Sequence, residues 1–590
     1  MKSYVDLDKI NSPADIKNMS IDQLTALAAE MRSVLIRKLS AHGGHVGPNL
    51  GMIEATIALH YVFNMPVDKL VFDVSHQSYS HKMLTGRMKA FTDPAHYNDV
   101  TGFTDPDESP LYDLFSIGHT STSLALASGL AKARDLEGGK ENVIAVIGDA
   151  SLGGGEAFEG LNYGSTLGTN FIVVVNDNNM SIAENHGGIY ADLRLLRNSC
   201  GTAEPNLFRA FGYDYRYVHY GNDLRRLIDA FSDVKDIDHP VVVHINTMKG
   251  MGLPIAEANK ERFHFSAPFD PKSGAPLNMK VATAETYTDV FANRMLDLMS
   301  TDKSIVVVNA GTPSAVGFTP ARRAEAGKRF VDVGIAEQMG VGMTSGLAKG
   351  GIRPVFAVVD TFLQRAYDQL SHDIAINRQP VVVVEFHTGL YAMNDETHLG
   401  FFDIAMAGNI PRFNMLAPTS KEEYLAMLNW ATGQKEQPVI IRTPGGALIS
   451  DPNRELLDDY SVPRYEIARQ GSRIALIGAG NFFYLMSKAV DELEKKGYTP
   501  TVINPRCVSD LDTRTLDTLA DYDLVITAED GIVDGGFGQK VASYLGTSPV
   551  KVVNLGLRKE FLNCYKATDI AKECGLTPEA IAETADTLLK

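Results

Sequence analysis

Two short polar segments stand where chemistry is expected. Gly148-Asp149-Ala150 follows the apolar run VIAVIG (143–148), and Asn176-Asp177-Asn178 follows FIVVV (171–175). Asp149 and Asn178 are 178 − 149 = 29 positions apart, with the helix-like stretch EAFEGLNYGSTLG between them. This makes one strand–helix–strand unit with both residues at carboxyl strand ends, the edge where open α/β sheets bind ligands. A carboxylate and an amide oxygen are hard ligands suited to Mg²⁺, which takes one or two protein carboxylates and completes its shell with phosphate oxygens. On Gly-Asp alone, two ordinary polar loops would be the stronger reading. His76 and His81 are five positions apart, outside an HExxH context, and do not read as a metal pair.

The elements that position these residues recur along the chain. Short β-branched runs at 143–148, 171–175, 240–245, 304–308, 354–359, 380–386, 438–442, 473–478, 523–527 and 550–555 are separated by amphipathic stretches of helix length. Continuous rather than alternating apolar strands are expected where helices cover both sheet faces. The repetition predicts an α/β protein of three doubly wound, mainly parallel sheets. The polar, Pro- and Gly-rich stretch 256–278 and the charged stretch 450–463 divide the chain into segments of about 1–275, 276–455 and 456–590.

Composition narrows the function classes. The 590 residues are 44% hydrophobic and 22% charged, ordinary for globular domains, and 55 − 72 gives a net charge of −17. An acidic chain without a basic tract is a poor nucleic-acid or anionic-membrane binder, so any phosphate must be held locally. Cys200, Cys507, Cys564 and Cys574 are scattered without a C-x-x-C pair, against a disulfide framework or a zinc site. The first residues lack a signal-peptide apolar core, and no apolar run approaches the ~20 residues that span a bilayer. The expectation is a cytoplasmic protein acting on small molecules. Ile477-Gly478-Ala479-Gly480 imitates a dinucleotide fingerprint but lacks the third glycine and reads as a tight strand–helix turn.

A Gly-Asp and an Asn-Asp-Asn separated by roughly thirty residues resemble the thiamine-diphosphate motif of transketolase-like enzymes. The likeness extends through GGHVGPNLGMIEATIALHYVFN (43–64), FDVSHQSYSHKMLTGR (72–87), SIGHTSTSLALASGLAKARD (116–135), NDNNMSIAEN, FVDVGIAEQ (330–338), TFLQRAYDQLSHDIA (361–375) and THLGFFD (397–403). In these segments the chain resembles the 1-deoxy-D-xylulose-5-phosphate synthase family. The resemblance implies thiamine diphosphate and Mg²⁺, the metal on Asp149, Asn178 and the carbonyl of Met180. The cofactor would lie against His76, Gly118, His119, Thr120, Ala150, Ser151 and Lys249. Glu337 would hydrogen-bond the aminopyrimidine, making the cofactor its own base, and Phe362 would stack on it. A lone histidine is more often structural, but His45, His264 and His398 sit inside matched motifs and would shuttle protons beside the substrate. The implied reaction decarboxylates pyruvate and joins the two-carbon unit to an aldehyde, glyceraldehyde 3-phosphate or a variant acceptor, to give a 1-deoxyketose or its phosphate. Ketol transfer between sugars is the alternative, and a homodimer is implied.

The departures concern the acceptor. Where the family grips the aldehyde's phosphate with two arginines, this chain has His387 and Gly445. Val359 replaces a tyrosine and is followed by Asp360, Asn394 replaces an aspartate, and Leu253 replaces a tyrosine. Losing two guanidinium–phosphate contacts removes on the order of 1.5–3 kcal/mol each. His387, Asn394, Arg365 and Asp360 are therefore expected to line a re-cut acceptor pocket.

Overall fold

The computed structural model describes residues 5–279 and 284–590 and divides into two compact units, Met1–Ala284 with Gly334–Ala336, and Glu285–Val333 with Glu337–Lys590. In the first unit the strands are β1 (Gly44–His45), β2 (Lys69–Phe72), β3 (Val143–Gly148), β4 (Phe171–Asp177), β5 (Asp214–Val218), β6 (Pro240–Asn246) and β7 (Phe265–Ser266). The main sheet runs β2-β3-β4-β6-β5, parallel throughout.

Its strands are apolar on both sides because both faces are covered. Ile144, Val146, Ile172, Val174, Val241 and Val243 pack with the helices Ile21–His42, Gly47–Val62 and Leu224–Val234. The alternate residues Val143, Ala145, Ile147, Val173, Val175 and Val242 pack with Ser123–Glu137, Gly155–Gly164 and Gly188–Asn198. The period of two along each strand assigns successive side chains to opposite layers.

The second unit holds two sheets. Strands β8 (Ile305–Asn309), β9 (Phe330–Asp332), β10 (Arg353–Val359), β11 (Val382–Phe386), β12 (Asn414–Leu416) and β13 (Val439–Arg442) form the parallel order β12-β13-β11-β10-β8-β9. Strands β14 (Glu466–Arg469), β15 (Ile474–Gly478), β16 (Thr501–Asn504), β17 (Leu524–Ile532) and β18 (Lys551–Leu557) form β14-β16-β15-β17-β18. This sheet is parallel except at its edge, where β14 runs antiparallel to β16. Gly478 ends β15 and the helix Phe482–Lys495 follows, so the glycine-rich segment is the tight turn expected of it. Each of the ten apolar runs read from the sequence coincides with a strand to within two residues at its start. Among the described residues no helix is long and apolar enough to cross a membrane, and no disulfide joins the four cysteines.

Candidate active site

In the first unit, β3 and β4 are adjacent and in register, Gly148 opposite Asn176, so Asp149 and Asn178 leave the sheet at the same edge. The Asp149 amide donates to the Asn176 carbonyl (3.0 Å), and Asn185 Nδ2 donates to Asp149 Oδ2 (2.8 Å). Burial, and then the neighbouring Asp177 carboxylate, push the Asp149 carboxyl up to about 7. Asn178 Oδ1 is buried and accepts no hydrogen bond among the described residues. An ionisable oxygen disfavoured by burial beside an orphaned amide oxygen fits a hard cation, which would satisfy both.

Asp177 has a different task. It accepts from Arg197 Nη1 (2.7 Å to Oδ1) and His244 Nε2 (2.9 Å), while Tyr215 Oη donates to His244 Nδ1 (2.8 Å). Burial opposes its ionisation, but these partners outweigh burial and hold its carboxyl below the usual range. Asp177 thereby fixes the strand end from which Asn178 projects.

The loop of Gly118, His119 and Thr120 is pinned from behind. The Asp73 carboxylate accepts from the amides of Ser121 (2.8 Å) and Ser123 (3.0 Å), and Ser121 Oγ donates to the Ser151 carbonyl (2.8 Å). Tyr190 Oη donates to the Ala150 carbonyl (3.0 Å). Lys249 Nζ donates to the Ser181 carbonyl (2.6 Å) and to His264 Nδ1 (3.1 Å), so it holds the far end of the loop that carries Asn178 and Met180. Burial lowers Lys249 to about 7. Burial, with Lys249 second, keeps His264 neutral.

Three histidines of this unit, His45, His76 and His264, meet, two of them through backbone pairing. His45 in β1 lies opposite Phe265 in β7, next to His264. Ring centroids are 5.7 Å apart for His45–His264, 5.1 Å for His76–His264 and 5.1 Å for His45–His76. Asn49 Nδ2 donates to the carbonyls of both His45 and His76 (2.8 Å each). Gly43 permits the approach, since it has φ +88° and a Cβ there would stand 2.8 Å from the Ser266 carbonyl oxygen. His81 takes no part, being bonded to His60 (2.9 Å) and Asp113 (2.9 Å).

In the second unit Glu337 opens the helix Glu337–Lys349 and is buried. Its Oε2 has no hydrogen-bond donor among the described residues, Arg365 Nη1 being 4.0 Å away, and burial raises its pKa. The Phe362 ring meets His398 edge-on at 5.6 Å, and His398 Nδ1 is 2.9 Å from Asp395 Oδ1. His387 directly follows β11 with φ +58°, and its ring is solvent-accessible yet enclosed on its other sides, which lowers its pKa. Asn394 Nδ2 donates to the Tyr565 carbonyl (3.0 Å). Main chain of Thr388 and Tyr391 fills the space where a side chain at Gly445 would begin. Arg442 is bonded to Asp403 and to Asp530 (2.5 Å), and Asp360 and Glu385 lie beside them.

Several of these residues escape a reading by motif. Asn49, Asp73, Asp177 and His244 act on backbone or on other side chains, so no spacing rule singles them out. Glu385 carries a visible signal, a charged residue inside the apolar run PVVVVEF.

Three family models match the chain. The one described as 1-deoxy-D-xylulose-5-phosphate synthase covers residues 7–202, the transketolase pyrimidine-binding domain covers 283–449, and the transketolase C-terminal domain covers 464–581. Fold and matches define a transketolase-like α/β protein. The chain is 37% identical to a 1-deoxy-D-xylulose-5-phosphate synthase of Symbiobacterium thermophilum, over 99% of this chain and 95% of that one. It is 37% identical to 1-deoxy-D-xylulose-5-phosphate synthase 1 of Geobacter sulfurreducens (99% and 97%), and 38% identical to the Carboxydothermus hydrogenoformans protein named 1-deoxy-D-xylulose-5-phosphate synthase (98% of each). The chain belongs to the 1-deoxy-D-xylulose-5-phosphate synthase family.

Proposed function

We propose that this chain is a thiamine-diphosphate- and Mg²⁺-dependent carboligase that decarboxylates pyruvate and joins the remaining two carbons to an aldehyde, giving a 1-deoxyketose or its phosphate. The observation that carries the reading is the pairing of full-length family similarity with buried, unsatisfied acceptors at the positions the family uses, Asn178 Oδ1 and Glu337 Oε2. Thiamine diphosphate, when bound, supplies the electron sink for loss of CO₂ from a 2-oxo acid.

The chain's own residues supply placement and protons. Asp149, Asn178 and the Met180 carbonyl would hold Mg²⁺. Gly118, His119, Thr120, Ala150, Ser151, His76 and Lys249 would receive the diphosphate end. Burial raises the Glu337 carboxyl and favours its proton, which suits it to hydrogen-bond a ring nitrogen, and Phe362 offers a ring face. His264 accepts from Lys249 at Nδ1, which puts its own proton on Nε2. Asp395 fixes the opposite tautomer of His398, accepting from its Nδ1–H and leaving Nε2 to take a proton. His45, His264 and His398 then exchange protons with substrate oxygens.

The acceptor is glyceraldehyde 3-phosphate, not gripped by two arginines in the usual way, or a variant aldehyde. Gly445 leaves no room for a side chain, and Arg442 is already committed to Asp403 and Asp530. His387, with Asn394, Arg365 and Asp360, would set acceptor preference. Steady-state kinetics with pyruvate and matched aldehydes, phosphorylated and not, test this. Turnover of unphosphorylated or differently shaped aldehydes beside glyceraldehyde 3-phosphate is expected, and a high kcat/KM for the phosphorylated aldehyde alone would overturn the re-cut pocket. Ketol transfer is distinguished by the absence of CO₂. The working form is read as a cytoplasmic homodimer, for which light scattering should give twice the 64.2 kDa chain mass.

A further inference from the structure

Three carboxylates from three elements of the second unit converge. Asp360 follows β10, Glu385 lies in β11 and Asp403 opens the helix Asp403–Ala407. Each offers an oxygen, and the three oxygens lie within 4.8 Å of one another. Their exposures are 2%, 0% and 1%. Asp530 of β17, also buried, stands on the far side of Arg442, whose guanidinium bonds both Asp403 and Asp530. Two carboxylates thus bond the guanidinium, and Asp360 and Glu385 lie beside Asp403.

Glu385 provides the second observation. Both of its oxygens are buried, and neither has a hydrogen-bond partner among the described residues. Buried polar oxygens are almost always satisfied, and a buried charge requires a partner. A main-chain oxygen is also at hand. A Cβ on Gly400 would lie 3.1 Å from Asp360 Oδ2 and 2.2 Å from the His387 carbonyl oxygen, so that glycine keeps open the space both oxygens border.

We propose that Asp360, Glu385 and Asp403 form a second cation site, separate from Asp149 and Asn178, that takes a hard divalent ion of the size of Ca²⁺. Sides of at most 4.8 Å put the centre of the triangle no more than about 2.8 Å from its corners (4.8/√3), a span that admits the ~2.3–2.6 Å of calcium–oxygen bonds. An all-oxygen, carboxylate-rich donor set selects hard ions over zinc or copper. The Arg442 bonds hold Asp403 in place and leave the Glu385 carboxylate to the ion.

The test is calcium stoichiometry. The full chain, loaded with thiamine diphosphate and Mg²⁺, is dialysed against CaCl₂, and bound metals are counted by plasma mass spectrometry. Wild type and Asp149→Ala should each hold one Ca²⁺ per chain that Glu385→Gln and Asp360→Asn lose, with at least tenfold weaker binding. In a parallel melt, Ca²⁺ should raise the Tm of wild type and leave that of Glu385→Gln unchanged, which gives a reading even if Asp360→Asn folds poorly. Absence of bound Ca²⁺ from wild type, or equal Ca²⁺ in wild type and Glu385→Gln, would overturn the proposal and leave protons as what neutralises these acids.

Discussion

A Cβ built on Gly445 would stand 2.3 Å from the carbonyl oxygen of Thr388, a distance that real Cβ atoms essentially never show. The obstruction is main chain, not the end of a flexible side chain. Overpacking against a fixed backbone costs about 1–3 kcal/mol. Gly445→Ala should therefore lower the Tm, and Gly445→Arg should lower it at least as much without restoring a phosphate grip. His387→Arg, at a solvent-accessible position, should leave the Tm nearly unchanged. Thermal melts of the three variants check this.

Asp177 is not itself a proposed Mg²⁺ ligand, yet its bonds to Arg197 and His244 fix the strand end before Asn178. Outer partners of this kind are worth about 10–100-fold in metal affinity. Asp177→Asn should raise the Mg²⁺ concentration needed for thiamine-diphosphate binding by that factor, as measured by calorimetry. A variant with normal Mg²⁺ dependence would make Asp177 a fold residue only.

Lys249 gives a pH dependence of stability. Burial sets its folded pKa near 7, against 10.5 for the ordinary lysine of the unfolded chain. Between these values the unfolded chain binds a proton that the folded chain does not. Stability therefore rises with pH across this window, by up to about 1.4 kcal/mol per unit from this group. Denaturant melts of the cofactor-free protein from pH 7 to 10 should show a shallower slope for Lys249→Met than for wild type.

Much of the architecture was legible because the strands are apolar on both faces, a pattern that survives without any knowledge of partners. Asp149 and Asn178 were legible for the same reason, since a polar pair directly after such strands must lie at the sheet edge. The supports were not. Asp177 meets His244 across 67 residues, and Arg442 meets Asp530 across 88, distances over which only the folded chain defines a neighbour. The antiparallel edge strand β14 left no mark either, because an edge strand reads like any short run. The closure around Gly445 is a property of the backbone at 388 and 391, invisible in the identity of residue 445.

Asp395 acts through His398. Its carboxylate accepts from Nδ1–H (2.9 Å) and orients the ring. Asp395→Asn should lower kcat about 10–100-fold with little change in KM for pyruvate, as measured by steady-state kinetics. An unchanged kcat with a lowered Tm would mean that Asp395 serves loop structure alone.

The central claim is that pyruvate loses CO₂ on this chain in a reaction that depends on Glu337. With [1-¹³C]pyruvate, an aldehyde, thiamine diphosphate and Mg²⁺, the wild type should release ¹³CO₂ and form a 1-deoxyketose. Glu337→Ala should release ¹³CO₂ at least about a thousandfold more slowly, as expected when the group that sets up the reacting cofactor is removed. Ketose exchange without ¹³CO₂, or an equal rate in Glu337→Ala, would contradict the account.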